Sequence, residues 1–381
     1  MPTITLSSVR KSYGSGPPAV DNLDLEIPDG SFTCLLGPSG CGKTTTLRMI
    51  SGLEPLNAGT ITVGGRIMDS TVDGVFVPPE KRGMGLVFQN YALWPHLTVA
   101  KNVEFGLRVR KVKPAERAER AAAALRMMQI EWAADRYPAQ LSGGQQQRVS
   151  LARMLAVNPN VLLLDEPLSN LDAQLRLDMR AELKRIHEET GHTIVFVTHD
   201  QLEAMTMATH VVVMNKGLVQ QMAPPMEVYT RPANTFVARF VGSPPMNLFE
   251  TGTDAFTEAV RDQVVAERPA LTDRLTTIGA RPENLRLLDD GEQPPAGTHV
   301  FEATVKTALP TGSSWTVLVN AGDTELYLVS YTDVRATPGT VVRCAVRTSD
   351  LHLFDASGDR LPDEADDAAA LTKENTTTWA S

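Results

Sequence analysis

The sequence is poor in cysteine and has no long hydrophobic run. Its three cysteines, Cys34, Cys41 and Cys344, are too few for a disulfide framework and indicate a reducing compartment. The longest apolar runs, such as Val161–Leu164, fall far short of the ~20 residues that span a bilayer. The N-terminal segment lacks an apolar core of signal-peptide length. We therefore expect a soluble, cytoplasmic protein.

An excess of positive charge is also absent. The chain holds 36 Lys and Arg against 45 Asp and Glu, a formal net charge of −9. This charge argues against a protein that coats nucleic acid without sequence preference. Apolar residues make up 42%, which excludes wholesale disorder. A length of 381 residues favours two or more domains, at ~100–200 residues per domain.

The residue pattern of the sequence changes near residue 241. Residues 1–240 alternate short apolar runs with helical stretches, which predicts an α/β domain with a mostly parallel, helix-covered sheet and a helical part at about 90–159. Residues 241–355 carry short segments broken by proline and glycine, which predicts a small all-β domain. Residues 356–381 are acidic and poor in large apolar side chains, and we expect them to form a disordered tail. The clearest predicted strands of the first domain are Ser31–Leu36, Val161–Glu166, Thr193–Thr198 and His210–Asn215.

A glycine-rich motif, Gly37-Pro-Ser-Gly-Cys-Gly-Lys43-Thr44, lies between a predicted strand and a predicted helix. In that context the loop N–H groups and the helix N-terminus face phosphates. Lys43 is placed to reach the terminal phosphates and the Thr44 hydroxyl to help hold Mg²⁺. The alternative is a chance glycine-rich turn.

Two carboxylates, Asp165 and Glu166, end the apolar run Val161–Leu164 just before Pro167. Buried charge is costly without a cation or partner. We therefore predict Asp165 as a Mg²⁺ partner of Thr44 and Glu166 as the general base that holds the attacking water. The alternative is a strand that simply ends in solvent.

A third motif, Leu141-Ser-Gly-Gly-Gln-Gln-Gln-Arg148, leads into a helical stretch. A serine and two glycines at a helix start form a second possible anion site, although a capped helix explains the same pattern.

Taken in order, these motifs resemble those of the nucleotide-binding subunit of ABC transporters, in which LSGGQ is the family signature. The resemblance covers Ile4 to about Phe240 and implies ATP and Mg²⁺ as cofactors. It places Tyr13 against adenine, Gln89 beside Mg²⁺ and the attacking water, and His199 beside the γ-phosphate. It places Asp172, in a Ser169–Asp172 loop that also fits a capping box, at a dimer interface.

The resemblance assigns three groups of residues. Nucleotide contacts are assigned to Tyr13, Gly37, Pro38, Ser39, Gly40, Cys41, Gly42, Lys43, Thr44, Thr45, Ser142, Gly143, Gly144, Gln145 and Asp172. Catalytic roles are assigned to Glu166, His199, Gln89 and Lys43. Metal binding is assigned to Thr44, Gln89 and Asp165.

One motif set per chain implies a partner, because the family binds each ATP between two chains. The 37–45 loop of one chain faces residues 142–145 of the other, which predicts a dimer with a second copy or a close paralogue. The segment Tyr91–Leu97 matches the groove that receives a membrane permease, although its aromatic residues could also plug the core. The resemblance thus implies two permeases, an external binding protein and a place on the cytoplasmic face of a bacterial membrane.

The second region resembles the oligonucleotide-binding-type regulatory domain of bacterial importer ATPases. Val241–Leu248 and Ile278–Leu285 carry this likeness, which is greatest to the maltose, multiple-sugar and glycerol-3-phosphate types. We therefore expect an importer ATPase for a carbohydrate or sugar phosphate. Ala92–His96 also fits ferric-iron and polyamine importers, which remain an alternative cargo class. A non-transport ABC ATPase is the second alternative.

Overall fold

The computed structural model describes residues 2–88, 90–169, 171–289 and 291–362. The chain divides into two compact units, Met1–Met226 and a second unit from Glu227 onward. This division falls earlier than the predicted boundary at residue 240. Residues 227–240 join the second unit because Ala238 is buried against Met246 and Phe354.

The first unit contains two sheets and a set of helices. Its strands are β1 (Ile4–Lys11), β2 (Val20–Ile27), β3 (Phe32–Leu36), β4 (Ala58–Val63), β5 (Arg66–Ser70), β6 (Val75–Phe76), β7 (Met84–Val87), β8 (Val161–Asp165), β9 (Thr193–Thr198), β10 (His210–Asn215) and β11 (Leu218–Ala223). Its helices are α1 (Lys43–Ser51), α2 (Val99–Val109), α3 (Pro114–Met127), α4 (Gly143–Val157), α5 (Ala173–Thr190) and α6 (Gln201–Met207).

The larger sheet has the strand order β11-β10-β3-β9-β8-β7. All neighbours in it are parallel except β11, which pairs antiparallel with β10. Every residue of β3, β8 and β9 is buried, as expected for strands covered on both faces. The predicted α/β fold with a mostly parallel sheet is confirmed.

A second sheet of the first unit was not predicted. Strands β2, β1, β4, β5 and β6 form a five-stranded antiparallel sheet in that order. Its core residues, including Ile4, Leu6 and Ile61, pack in the same cluster as Val195 and Met214 of the larger sheet. The pairing of β1 with β4 joins segments about fifty residues apart, and periodicity within one segment does not reveal such a partner.

The N-cap of helix α5 lies three residues later than the Ser169–Asp172 capping box suggests. Asp172, rather than Ser169, is its N-cap, and the Asp172 carboxylate accepts a hydrogen bond from the Leu175 N–H at 2.9 Å. Ser169 instead donates to the Glu166 carbonyl. Gly191 ends the helix in the left-handed region at φ 64°.

The second unit is mostly antiparallel sheet. Its strands are β12 (Asn247–Glu250), β13 (Thr277–Ala280), β14 (Arg286–Leu287), β15 (Thr298–Pro310), β16 (Trp315–Ala321), β17 (Thr324–Ser330), β18 (Val341–Arg347) and β19 (Leu351–Phe354). They form a five-stranded sheet, β14-β18-β15-β16-β17, and a three-stranded sheet, β12-β13-β19, which agree with the predicted oligonucleotide-binding-like class.

The remaining α-helices of the described residues are α7 (Pro225–Thr230), α8 (Thr235–Phe240) and α9 (Ala255–Glu267). Helix α9 was missed within a region predicted as all-β. Its signals are a cap at Asp254 and the spacing of Thr257, Val260 and Val264, its buried face.

Residues 356–362 depart from the tail predicted for 356–381. Leu361 is buried in the core of the second unit, and Asp359 and Arg360 form isolated bridges. The rest of the predicted tail lies outside the described residues. Among the residues that the structure describes, no helix is both long and apolar enough to cross a membrane.

Candidate functional site

The 37–45 loop connects β3 to α1 and needs glycine at two positions. A Cβ on Gly37 would lie 2.3 Å from the Met214 carbonyl oxygen. Gly42 has φ 103°, and a Cβ there would lie 2.5 Å from the Ala19 carbonyl oxygen. Helix α1 begins at Lys43 with no side-chain cap, so its first N–H groups remain available to an anion.

The Lys43 ammonium lies over this loop. Its side chain is buried, and Nζ donates to the carbonyls of Gly37 at 2.7 Å and Pro38 at 2.9 Å. The cation is therefore held beside the uncapped start of α1. Phosphate oxygens bound there could replace the two carbonyls as hydrogen-bond acceptors of the Lys43 ammonium group.

Thr44 and Asp165 come together from separate elements. The Thr44 hydroxyl donates to Asp165 Oδ1 at 3.0 Å. Burial raises the pKa of Asp165, and the neighbouring Glu166 raises it further, although the bond from Thr44 opposes this shift. A divalent cation would stabilise the ionised carboxylate, and hydroxyl and carboxylate oxygens suit Mg²⁺. The residues present therefore fit the predicted metal.

Glu166 leaves the end of β8 with a left-handed backbone, φ 44°. Its N–H donates to the Val197 carbonyl, and its own carbonyl accepts from Ser169. This turn takes the Glu166 side chain away from the strand, and Oε1 lies 3.5 Å from His199 Nδ1. A non-glycine residue in this region is strained, and such strain often occurs at functional sites.

The sheet order brings these groups to one edge. Strands β3, β9 and β8 are adjacent and parallel, so the 37–45 loop, His199 and the Asp165–Glu166 pair all follow their carboxyl ends. Crevices at this edge are the usual ligand sites of open α/β sheets.

A buried acid lies behind His199 and was not singled out from the sequence. Glu203, on α6, accepts a hydrogen bond from the Thr198 hydroxyl at 2.6 Å, and burial raises its pKa. Arg176 of α5 approaches Glu203 at 3.9 Å and Asp200 at 3.7 Å. These contacts fix the backbone on both sides of His199. A carboxylate four residues beyond that histidine was the available signal.

The second anion motif forms the start of α4. Ser142 is the N-cap, and its hydroxyl and the Gln145 side chain make a reciprocal capping box. A Cβ on Gly144 would lie 1.9 Å from Leu175 Cδ2, whereas a Cβ on Gly143 would meet nothing within 4 Å. Gly144 is therefore needed for packing, while the exposed Gly143 allows close approach from outside.

Three other residues predicted for the site are Tyr13, Cys41 and Gln89. Tyr13 is 52% exposed, and its hydroxyl donates to the Glu54 carboxylate. Cys41 is buried, with Sγ 3.6 Å from Lys43 Nζ. Gln89 lies outside the described residues. Within the described ranges, no cluster of three or more His, Cys, Asp or Glu side chains could hold a metal ion.

Comparison with known proteins extends over nearly the whole chain. Residues 20–169 match the family described as ABC transporter. The sn-glycerol-3-phosphate import ATP-binding protein UgpC of Brucella abortus biovar 1 (strain 9-941) is 42% identical over 366 residues, covering 95% of this chain and 100% of the relative. Its counterpart in Rhodopseudomonas palustris (strain BisA53) is 42% identical over 374 residues, covering 94% and 99%.

Solved structures match the first part of the chain. A dimeric ATP-binding cassette in a post-hydrolysis state, bound to ADP and Pi, is 34% identical with a TM-score of 0.52. The match covers 58% of this chain and 98% of that cassette.

Proposed function

Because this chain belongs to the ATP-binding subunits of ABC transporters, we propose that it hydrolyses ATP to power the import of a sugar phosphate or carbohydrate. The convergence of the 37–45 loop with Thr44, Asp165, Glu166 and His199 at one sheet edge carries the ATPase proposal. The cargo proposal is supported by near-full-length similarity to proteins named for sn-glycerol-3-phosphate import.

Binding of ATP uses the loop and the start of α1. The uncapped N–H groups and Lys43 bind the phosphates, with Nζ exchanging the Gly37 and Pro38 carbonyls for phosphate oxygens. Tyr13 contacts the adenine. Thr44 and Asp165 would hold Mg²⁺, with Gln89 as a further ligand; when bound, the ion neutralises charge on the phosphate oxygens.

Hydrolysis depends on Glu166. Its carboxylate takes a proton from a water molecule, whose oxygen bonds to the γ-phosphorus while the bond to the bridging oxygen breaks and ADP leaves. His199, 3.5 Å from Glu166, donates a hydrogen bond to the γ-phosphate. The buried Thr198–Glu203 pair positions His199 through the backbone.

Two copies of the chain form the complete site. Each ATP lies between the 37–45 loop of one chain and residues 142–145 of the other, with Asp172 at the interface. The open approach to Gly143 and the dimeric state named for a similar cassette support this arrangement. ATP then stabilises the closed dimer, and hydrolysis releases it.

The Tyr91–Leu97 segment is proposed to contact a permease on the cytoplasmic face of the membrane. Its side chains divide into two sets. Tyr91 is buried and Trp94 packs on Phe105, with ring centroids 4.0 Å apart, whereas Pro95 and His96 are exposed. Tyr91 and Trp94 thus fix the segment to the protein, and Pro95 and His96 remain accessible to a partner.

Gly143→Ala and Gly144→Ala are a matched pair that tests the second anion site. We expect Gly143→Ala to keep its melting temperature, since a Cβ has room there, yet to lose roughly 10²-fold in ATPase rate by obstructing the partner's ATP. Gly144→Ala must displace Leu175, and overpacking of this kind costs about 1–3 kcal/mol. Thermal unfolding and steady-state hydrolysis distinguish the two. Full activity in Gly143→Ala would argue against contact with nucleotide.

The cargo is tested with the reconstituted complex. The chain is purified with its permeases, placed in liposomes and assayed for ATP hydrolysis against a panel of loaded binding proteins. We expect stimulation by the protein loaded with sn-glycerol-3-phosphate or a sugar. Stimulation only by ferric-iron or polyamine carriers would change the cargo and keep the importer. Assembly without any permease would contradict both.

A further inference from the structure

The backbone at Tyr91 and Ala92 is strained. Both residues are left-handed, with φ of 60° and 45°, and neither is glycine. Two consecutive residues in this conformation are unfavourable and persist only where their surroundings hold them. We call these two residues the 91–92 turn.

Helix α4 supplies the groups that hold the turn. Arg153 Nη1 donates to the Ala92 carbonyl at 2.6 Å, and Nη2 donates to the Tyr91 carbonyl at 3.0 Å. The Ser150 hydroxyl donates to the same Tyr91 carbonyl at 3.0 Å. The planar guanidinium thus bonds two successive carbonyls of the turn, an arrangement that an ammonium group cannot reproduce.

Arg153 is itself fixed in place. It is 5% exposed, and its guanidinium lies over the Trp94 ring, 5.0 Å from the centroid. Trp94 in turn packs on Phe105 of α2. Burial lowers the pKa of Arg153 to about 10, so the group remains protonated at neutral pH.

The same helix carries the second anion motif at its other end. Ser142 caps α4, and Arg153 lies eleven residues further along it. At 1.5 Å per residue the two are about 16 Å apart along one continuous helix. A displacement of the 91–92 turn is therefore transmitted to Ser142 if the turn and the helix move together.

We propose that Arg153 is a positioning residue that ties the 91–92 turn to α4. A permease that displaces the Tyr91–Leu97 segment then moves Ser142 relative to the partner chain's ATP. This rests on the proposed function, since it requires both a docked permease and a nucleotide site shared between chains. Arg153 itself contacts neither nucleotide nor permease.

Arg153→Lys tests the role, with Arg110→Lys as the control. Arg110 caps the C-terminal end of α2, and its guanidinium donates to the Val157 carbonyl of α4, outside both the Tyr91–Leu97 segment and the Leu141–Arg148 motif. In proteoliposomes holding the chain and its co-purified permeases, hydrolysis is measured with and without the loaded binding protein. We expect Arg153→Lys to lower the stimulated kcat roughly tenfold or more at unchanged KM for ATP, and Arg110→Lys to keep the stimulation.

Stability alone does not decide the question, because either substitution removes a hydrogen bond from a guanidinium to a backbone carbonyl. If Arg153→Lys and Arg110→Lys are stimulated equally, Arg153 only stabilises the fold and the proposal is wrong. Ser150→Ala is the second variant, should Arg153→Lys fail to assemble. It removes one bond to the Tyr91 carbonyl and keeps the guanidinium, and it should lower the stimulated rate partially. An unchanged ratio of stimulated to basal rate in Ser150→Ala would also contradict the proposal.

The wild-type complex separates this inference from the function on which it rests. No permease, or no stimulation by any binding protein, would overturn the proposed function. A stimulated wild type with equally stimulated variants would overturn only the role of Arg153.

Discussion

Glu166→Gln should bind ATP normally and hydrolyse it about 10²–10⁴-fold more slowly than the wild type, so that the dimer stays closed. Glutamine has nearly the same shape as glutamate, so the turn at φ 44° and the contact between Ser169 and the Glu166 carbonyl are retained. The amide cannot accept the proton of the attacking water. Steady-state hydrolysis, nucleotide binding and size-exclusion chromatography with ATP measure the three expectations.

A matched glutamate controls for this change. Glu119→Gln removes a carboxylate from the exposed side of α3 and should leave the hydrolysis rate unchanged. Near-normal turnover in Glu166→Gln would remove Glu166 from the mechanism.

Ser142→Arg should abolish hydrolysis while leaving nucleotide binding by the single chain largely intact. The serine is proposed to serve the ATP held by the opposite chain, and an arginine side chain would block that approach. It also removes the cap of α4, which costs about 1 kcal/mol. Ser142→Asp separates these effects, because aspartate caps a helix as well as serine does but repels phosphate. We expect it to be stable and inactive.

Mixing Ser142→Arg chains with Lys43→Ala chains tests the shared site directly. Each variant alone is expected to be inactive. The mixed dimer combines one site that carries both changes with one site that carries neither, so part of the activity should return. The absence of any recovery would contradict the arrangement, as would a loss of nucleotide binding by isolated Ser142→Arg chains.

Local sequence predicted the elements that we propose bind phosphate. The 37–45 loop, the strand β9 and the Asp165–Glu166 strand end each lie within one contiguous segment, where residue type and spacing specify the backbone. Small errors arose where two residues compete for one role. Ser169 and Asp172 can both cap a helix, and only the Ser169 bond to the Glu166 carbonyl shows why Asp172 does so.

Tertiary structure decided what depends on contacts between distant segments. The antiparallel sheet of β1, β2 and β4, the packing of Leu175 against Gly144, and the burial of Glu203 beside Thr198 all join residues far apart in the chain or in separate elements. The bond from Arg153 to the 91–92 turn spans about sixty residues and ends on backbone carbonyls, which leave no trace in side-chain pattern. Sequence thus predicted which groups contact phosphate, because the motifs that indicate them are local. The fold alone decided which groups hold them in place, because burial and hydrogen bonding to backbone depend on where the chain returns.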